Sequence, residues 1–159
     1  MRKIDSLLIE YGESHQNGVN KLIHWVCVPL IMFSLIGMLW SIPSQPLIQL
    51  VGTDLNGYLS FGTIVLCIAA FYYLRLSFQL FLGMVVIATL IAVGNRWLSE
   101  VTENLFLSSL LIFALAWVGQ FIGHKIEGKK PSFLKDVQFL LIGPAWLLHF
   151  VFNKLGIRY

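Results

Sequence analysis

Charge is scarce in this chain. Of 159 residues, Asp and Glu supply 8 and Lys and Arg 11, so 12% is charged against 57% hydrophobic. Mean hydropathy is +0.78. The apolar residues fall in blocks of membrane-spanning length, which an ordinary soluble domain would leave exposed to water. The chain therefore reads as one integral membrane domain over residues 1–159. Cysteine is also rare. Cys27 and Cys67 both lie inside apolar blocks, which excludes a disulfide framework and suits small buried hydrophobes. No basic run interleaved with aromatics occurs, so the net charge of +3 gives no nucleic-acid surface. The opening MRKIDSLLIEYGESH lacks the long apolar core of a cleavable signal and is expected to stay in the mature protein. No internal repeat is visible.

The expected fold is all-α: a polytopic helix bundle of four to five apolar segments preceded by an interfacial helix. In residues 1–21, Ile4, Leu7, Leu8 and Tyr11 recur at helical spacing, which predicts an amphipathic helix at the membrane surface. Apolar segments follow at about 22–42, 58–74, 78–93, 105–122 and 137–152, the first long enough for a core of roughly 30 Å. Pro43 and Pro46 end the first; Arg75-Leu76-Ser77 links the second and third; a loop is expected over 94–104, with Arg96, Glu100 and Glu103. A basic loop, HKIEGKKPSFLKD, precedes the last segment, which either spans or, with Gly143-Pro144 in its middle, breaks or re-enters.

If the first four segments alternate, one face collects Arg2, Lys3, Lys21, Arg75, Lys125, Lys129, Lys130 and Lys135, and the other only Arg96. The positive-inside tendency makes the first face cytoplasmic. Lys154 and Arg158 follow the last segment to whichever side it ends on.

Histidine is the scarcest informative residue, with four in the chain. His15, His24 and His124 sit at the mouths of apolar segments, on the cytoplasmic side of this topology, together with Glu127. Imidazoles and a carboxylate gathered at one membrane depth have the composition of a transition-metal site, and ionisable groups there usually face the bundle interior. On a helix, Gln120, His124 and Glu127 share one face, as do Asn17, Asn20 and His24. His15 and His24 lie about 180° apart on an ideal helix at roughly 100° per residue, so they converge only if the helix breaks, and Asn17-Gly18 is a suitable place. Each residue alone has an ordinary explanation. A histidine can anchor an interface, Glu127 can pair with Lys125 or Lys129, Gln120 and Asn20 can be interhelical glue, and His149 can cap a helix. Trp25, Trp40, Trp97, Trp117 and Trp146 read as interface belts. The joint placement is what favours a metal.

Two blocks carry a resemblance. His15, Asn20, His24 and Pro29 form H-x(4)-N-x(3)-H-x(4)-P; Gln120, Gly123, His124, Glu127 and Pro131 form Q-x(2)-GH-x(2)-E-x(3)-P, with Gly143-Pro144 later. In these the chain resembles a small membrane family that includes the Fe(II)-dependent 2-hydroxy-fatty-acid dioxygenase of the yeast endoplasmic reticulum, with plant and bacterial relatives. Residues 40–105 are similar only in being apolar. The resemblance implies α-oxidation, in which a long-chain 2-hydroxy acid and O2 give a fatty acid one carbon shorter; in fungi this belongs to phytosphingosine breakdown. It implies Fe(2+) held by His15, His24 and His124, with His149 a further candidate if Gly143-Pro144 redirects the last segment. Glu127 or Gln120 would orient a ligand histidine, and Lys125, Lys129 or Lys130 would attract the substrate carboxylate. The host would be a bacterial inner membrane or the endoplasmic reticulum, and the acyl tail would lie among the apolar segments. The clustered HxxxH and HxxHH motifs of di-iron membrane desaturases do not occur in this sequence. Two other classes stay open: a non-catalytic scaffold or lipid-binding protein, and a metal-dependent membrane hydrolase.

Overall fold

The structure, a computed structural model, describes residues 2–131 and 138–158. Lys135 and Val137, the expected start of the last segment, lie outside the described residues. Among the described residues the chain is all-helical: α1 (Lys3–Glu13), α2 (Gly18–Trp40), α3 (Gln45–Val51), α4 (Phe61–Leu76), α5 (Phe78–Val101), α6 (Leu105–Glu127) and α7 (Phe139–Leu155). Three of these, α2, α5 and α6, are long and apolar enough to cross a membrane by length and composition; α4 and α7 are shorter apolar helices.

Local signals explain the boundaries. The break expected near Asn17-Gly18 is present: the Asn17 side chain accepts hydrogen bonds from Val19 N and Asn20 N and starts α2 afresh. Ser77 ends α4, and its hydroxyl also caps α5. Gly128, at φ 73°, stops α6. Two expected boundaries differ. Residues 94–104 are mostly helix, because one glycine costs a helix only about 1 kcal/mol and no proline interrupts NRWLSEV. Arg96 and Glu100, one turn apart on that helix, pair at 2.7 Å. Likewise α6 runs on through His124 to Glu127, so the basic loop begins later than expected.

The principal helix pair is α2 with α6, antiparallel. Asn20 meets Gly123, Cys27 meets Gly119, and Gly37 meets Ser109. A Cβ added at Gly119 would sit 2.6 Å from Cys27 Sγ; one at Gly123 would collide with Asn20 Oδ1, and one at Gly37 with Ser109 Oγ. Gly119 and Gly123 are four apart, the small-xxx-small spacing that lets membrane helices approach backbone to backbone.

Helix α7 is enclosed rather than bathed in lipid. Residues 142–148 are all buried, around the whole helix perimeter, as expected of an internal apolar helix. The Tyr73 hydroxyl donates to the Leu141 carbonyl at 2.6 Å, and Gln138 Nε2 donates to the Tyr72 hydroxyl at 2.6 Å, so α7 starts beside the end of α4. It is a single helix with Pro144 inside it, so the redirecting break expected at Gly143-Pro144 does not occur. The stripe Ile4, Leu8 and Tyr11 of α1 is buried in the same core as Ile142, Ala145 and Trp146. The apolar face expected on the membrane surface thus packs on α7. Cys27 is buried as expected, but Cys67 is exposed.

Substituting Gly123→Ala, whose Cβ has no room, should destabilise the protein by about 1–3 kcal/mol. Gly18→Ala, with nothing within 4 Å, should be neutral or slightly stabilising. Thermal unfolding of both variants in detergent checks the contrast.

Candidate metal centre

Three helix ends meet at one point. His15 lies in the link after α1, His24 two turns into α2, and His124 one turn before the end of α6. They are 1%, 1% and 6% exposed. His15 and His24 have ring centroids 4.3 Å apart, and each is 5.0 Å from the His124 centroid. Two elements position this group. The α2–α6 glycine contact brings His24 to His124. The Glu127 carboxylate then closes the α1–α2 link over them: it accepts Gln16 N at 2.8 Å, Asn17 N at 2.9 Å and Asn20 Nδ2 at 3.0 Å. Lys129 Nζ donates to the Glu13 carbonyl at 2.6 Å and fixes the end of α1.

The protons decide what the cluster can do. His15 Nδ1 lies 2.5 Å from the Tyr11 carbonyl and His24 Nδ1 lies 2.9 Å from the Asn20 carbonyl. A carbonyl only accepts, so both Nδ1 atoms carry hydrogen and both Nε2 atoms are lone pairs. Those two Nε2 atoms face each other at 2.9 Å. Neither neutral ring can supply the proton for a bond between them. Burial pushes the His15 imidazole down to about 3, so protonation does not relieve the conflict at neutral pH. Nearby, His124 Nδ1 is buried with no hydrogen-bond partner. An unbonded buried nitrogen beside two opposed lone pairs is the arrangement a cation satisfies.

The donor set fits a transition metal. The three ligand atoms lie within 4.8 Å of one another, against about 4.2 Å at most for two imidazole nitrogens sharing one ion; a shift of roughly half an ångström closes the set. Neutral imidazoles are the state in which histidine binds metal, and three ligands leave coordination positions open, as catalytic sites do.

The other expected site residues fall in different places. Glu127 or Gln120 was expected to orient a ligand histidine; the outer ring nitrogens of His15 and His24 are held by main-chain carbonyls, and Glu127 bonds the α1–α2 link. Gln120 is buried, one turn before His124, and Lys125 is exposed. His149 is not in the cluster among the described residues. It lies in the unbroken α7, three residues beyond Trp146, and its Nε2 is 3.0 Å from Asn153 Nδ2. Two aromatics went unrecognised. Tyr11 stacks on His15 at 4.1 Å, and Trp146, expected in an interface belt, has its ring 5.2 Å from His15. Tyr11 was visible only as part of an apolar stripe, and nothing in the sequence distinguishes Trp146 from the other tryptophans.

With this geometry in place, comparison with known proteins is decisive for the family. A sequence profile described as "2-hydroxy-palmitic acid dioxygenase Mpo1-like" matches residues 1–155. The chain belongs to the Mpo1-like family. Among curated proteins it is similar to "2-hydroxy-palmitic acid dioxygenase MPO1" of Saccharomyces cerevisiae, 26% identical over 148 residues, covering 92% of this chain and 78% of the yeast protein. No solved structure matches. In this Mpo1-like chain the histidine cluster, Asn20 and Glu127 all lie within the matched region.

Metal-free protein should gain stability on adding a divalent transition metal, by about 2.7 kcal/mol when the free ion is a hundred times Kd. His24→Ala and His124→Ala should abolish that gain, while His149→Ala should leave it intact. Glu127→Ala, which releases the α1–α2 link, should weaken metal affinity roughly 10–100-fold. Melting curves against metal concentration read all four variants.

Proposed function

We propose that this chain is a mononuclear non-haem iron dioxygenase that converts long-chain 2-hydroxy fatty acids and O2 to fatty acids one carbon shorter, the carboxyl carbon leaving as CO2 with one water. The observation that carries the reading is the opposed pair of His15 and His24 lone pairs, 2.9 Å apart, in a family described by that activity. When bound, Fe(II) supplies the electrons that a closed-shell acid needs to react with oxygen.

The chain's own residues do the rest. His15, His24 and His124 hold the ion as neutral imidazoles, and the Tyr11 and Asn20 carbonyls keep the first two in the ligating tautomer. Glu127 fixes the link that carries His15. Gln120 lines the buried face of α6 below His124. The exposed Lys125 and Lys130 draw the substrate carboxylate toward this end of the bundle. Tyr11 and Trp146 wall the site against water. A 2-hydroxy acid offers a carboxylate and a neighbouring hydroxyl, so one head group has two oxygens with which to be oriented, and the C1–C2 bond to be broken lies between them.

Lys21 lies near the start of α2, Arg75 near the end of α4, and Lys125, Lys129 and Lys130 at or just past the end of α6, the ends that meet around the histidines, whereas Arg96 lies late in α5, paired with Glu100. By the positive-inside tendency the metal site faces the cytoplasm, from a bacterial inner membrane or the endoplasmic reticulum.

Purified protein loaded with Fe(II) should consume O2 in the presence of 2-hydroxyhexadecanoic acid and release pentadecanoic acid. Hexadecanoic acid, lacking the hydroxyl, should not be consumed, and His24→Ala should lose activity together with iron. Equal turnover under anaerobic conditions would contradict the proposal and point to a hydrolase.

A further inference from the structure

Beside the metal centre, α2, α5 and α7 line a half-open cavity of about 440 Å³, within the size range of sites that bind small molecules. Its wall is apolar throughout: Val28, Met32 and Phe33 of α2 face Ile87 and Ile91 of α5, with Leu148 and its α7 neighbours on the third side. Nothing in that wall recognises a charged head; it suits hydrocarbon.

The cavity has a defined beginning. Val28 is one turn beyond His24, about 6 Å along α2. Val28 Cγ1 and the Tyr11 hydroxyl both close on Gly143, at 3.7 and 3.0 Å from where a Cβ would stand. Tyr11 in turn stacks on His15, and Pro144, next to Gly143, lines the cavity. Pro29 and Pro144, each inside a continuous helix, line the cavity at this place.

It also has a defined end. Phe33 lies about 14 Å along α2 from His24. Its ring lies against Gly94, with Cε2 2.8 Å from where a Cβ would stand, and its carbonyl accepts Asn95 Nδ2 at 3.1 Å. Phe33 is thus held at both ring and backbone. The outer rim, by contrast, is open: Leu90 is 66% exposed and Trp25 41%, on helices that present apolar surface to the bilayer.

We infer that this cavity receives the hydrocarbon tail of the 2-hydroxy acid, entered sideways from the membrane, and that Phe33 seated on Gly94 closes its deep end and limits chain length. The inference rests on the substrate class proposed above. Adjacency to the metal centre, with Val28 lining the cavity one turn from His24, selects a single-chain acid, whose head would reach the histidines past the Tyr11–Gly143–Val28 contact while its tail lies in the groove. A two-chain bilayer lipid has no such head.

The test is photolabelling of the full chain in lipid nanodiscs, using 2-hydroxyhexadecanoic acid with a diazirine near its methyl end. Label is expected on Met32, Phe33, Ile87 or Ile91, suppressed about tenfold by excess unlabelled 2-hydroxyhexadecanoic acid and not by added phosphatidylcholine. Label on outward residues such as Leu115 and Val118, no label above background, or groove label that the free acid does not suppress overturns the inference; the last outcome means an ordinary bilayer lipid occupies the groove. This readout needs no turnover. Competed groove label without O2-dependent chain shortening would sink the proposed reaction and leave the groove standing. As a second measurement, Met32→Trp should lower kcat/KM for 2-hydroxyhexadecanoic acid about tenfold or more while sparing 2-hydroxyoctanoic acid, with metal content unchanged. Equal losses on both acids with metal retained, or no loss on either, would also overturn it.

Discussion

Everything at the histidine end depends on how closely α2 and α6 approach. Gly119 and Gly123 remove side chains where Cys27 and Asn20 must pass, and that proximity brings His24 beside His124 although a hundred residues separate them. In a bilayer, lipid tails compete with Leu and Val for the same dispersion contacts, so association falls to small residues and close backbone packing. Asn20 belongs to both tasks. Its side chain fits against Gly123, its amide bonds Glu127 and the Ser14 carbonyl, and its own carbonyl fixes the tautomer of His24.

The second constraint is electrostatic. A buried imidazole pair with both outer nitrogens tied to carbonyls has two inward lone pairs and no proton to share. In a low-dielectric interior that is an unsatisfied arrangement, and it persists because the surrounding helices over-determine it. Glu127 reinforces the design without entering it: a carboxylate that accepts two main-chain N–H groups and an amide locks the link carrying His15. The metal reading therefore rests on proton placement as well as on proximity.

Much of this was legible in the amino-acid order. Apolar blocks and their polar punctuation marked the helices. The nine-residue interval between His15 and His24 required a break, which Asn17 and Gly18 supply. The misreadings have physical causes. Helices α5 and α6 outrun their apolar stretches because helical hydrogen bonding continues while no residue prevents it, so Arg96 and His124 lie on helices rather than in loops. The proline in α7 suggested a turn, but an enclosed helix tolerates it, which leaves His149 away from the cluster. The apolar stripe of α1 could have met lipid or protein; periodicity does not distinguish them, and α7 decides it. Gly119 and Gly123 were a readable signal of close packing, whereas the role of Trp146 emerges only from tertiary contact.

The most direct test of the account is extended X-ray absorption fine structure at the iron edge of the Fe(II)-loaded protein. The account predicts outer-shell imidazole scattering from the three histidines His15, His24 and His124, with oxygen ligands completing the shell, and loss of one imidazole contribution in His15→Ala. A spectrum without imidazole scattering, or one unchanged by that substitution, would contradict it.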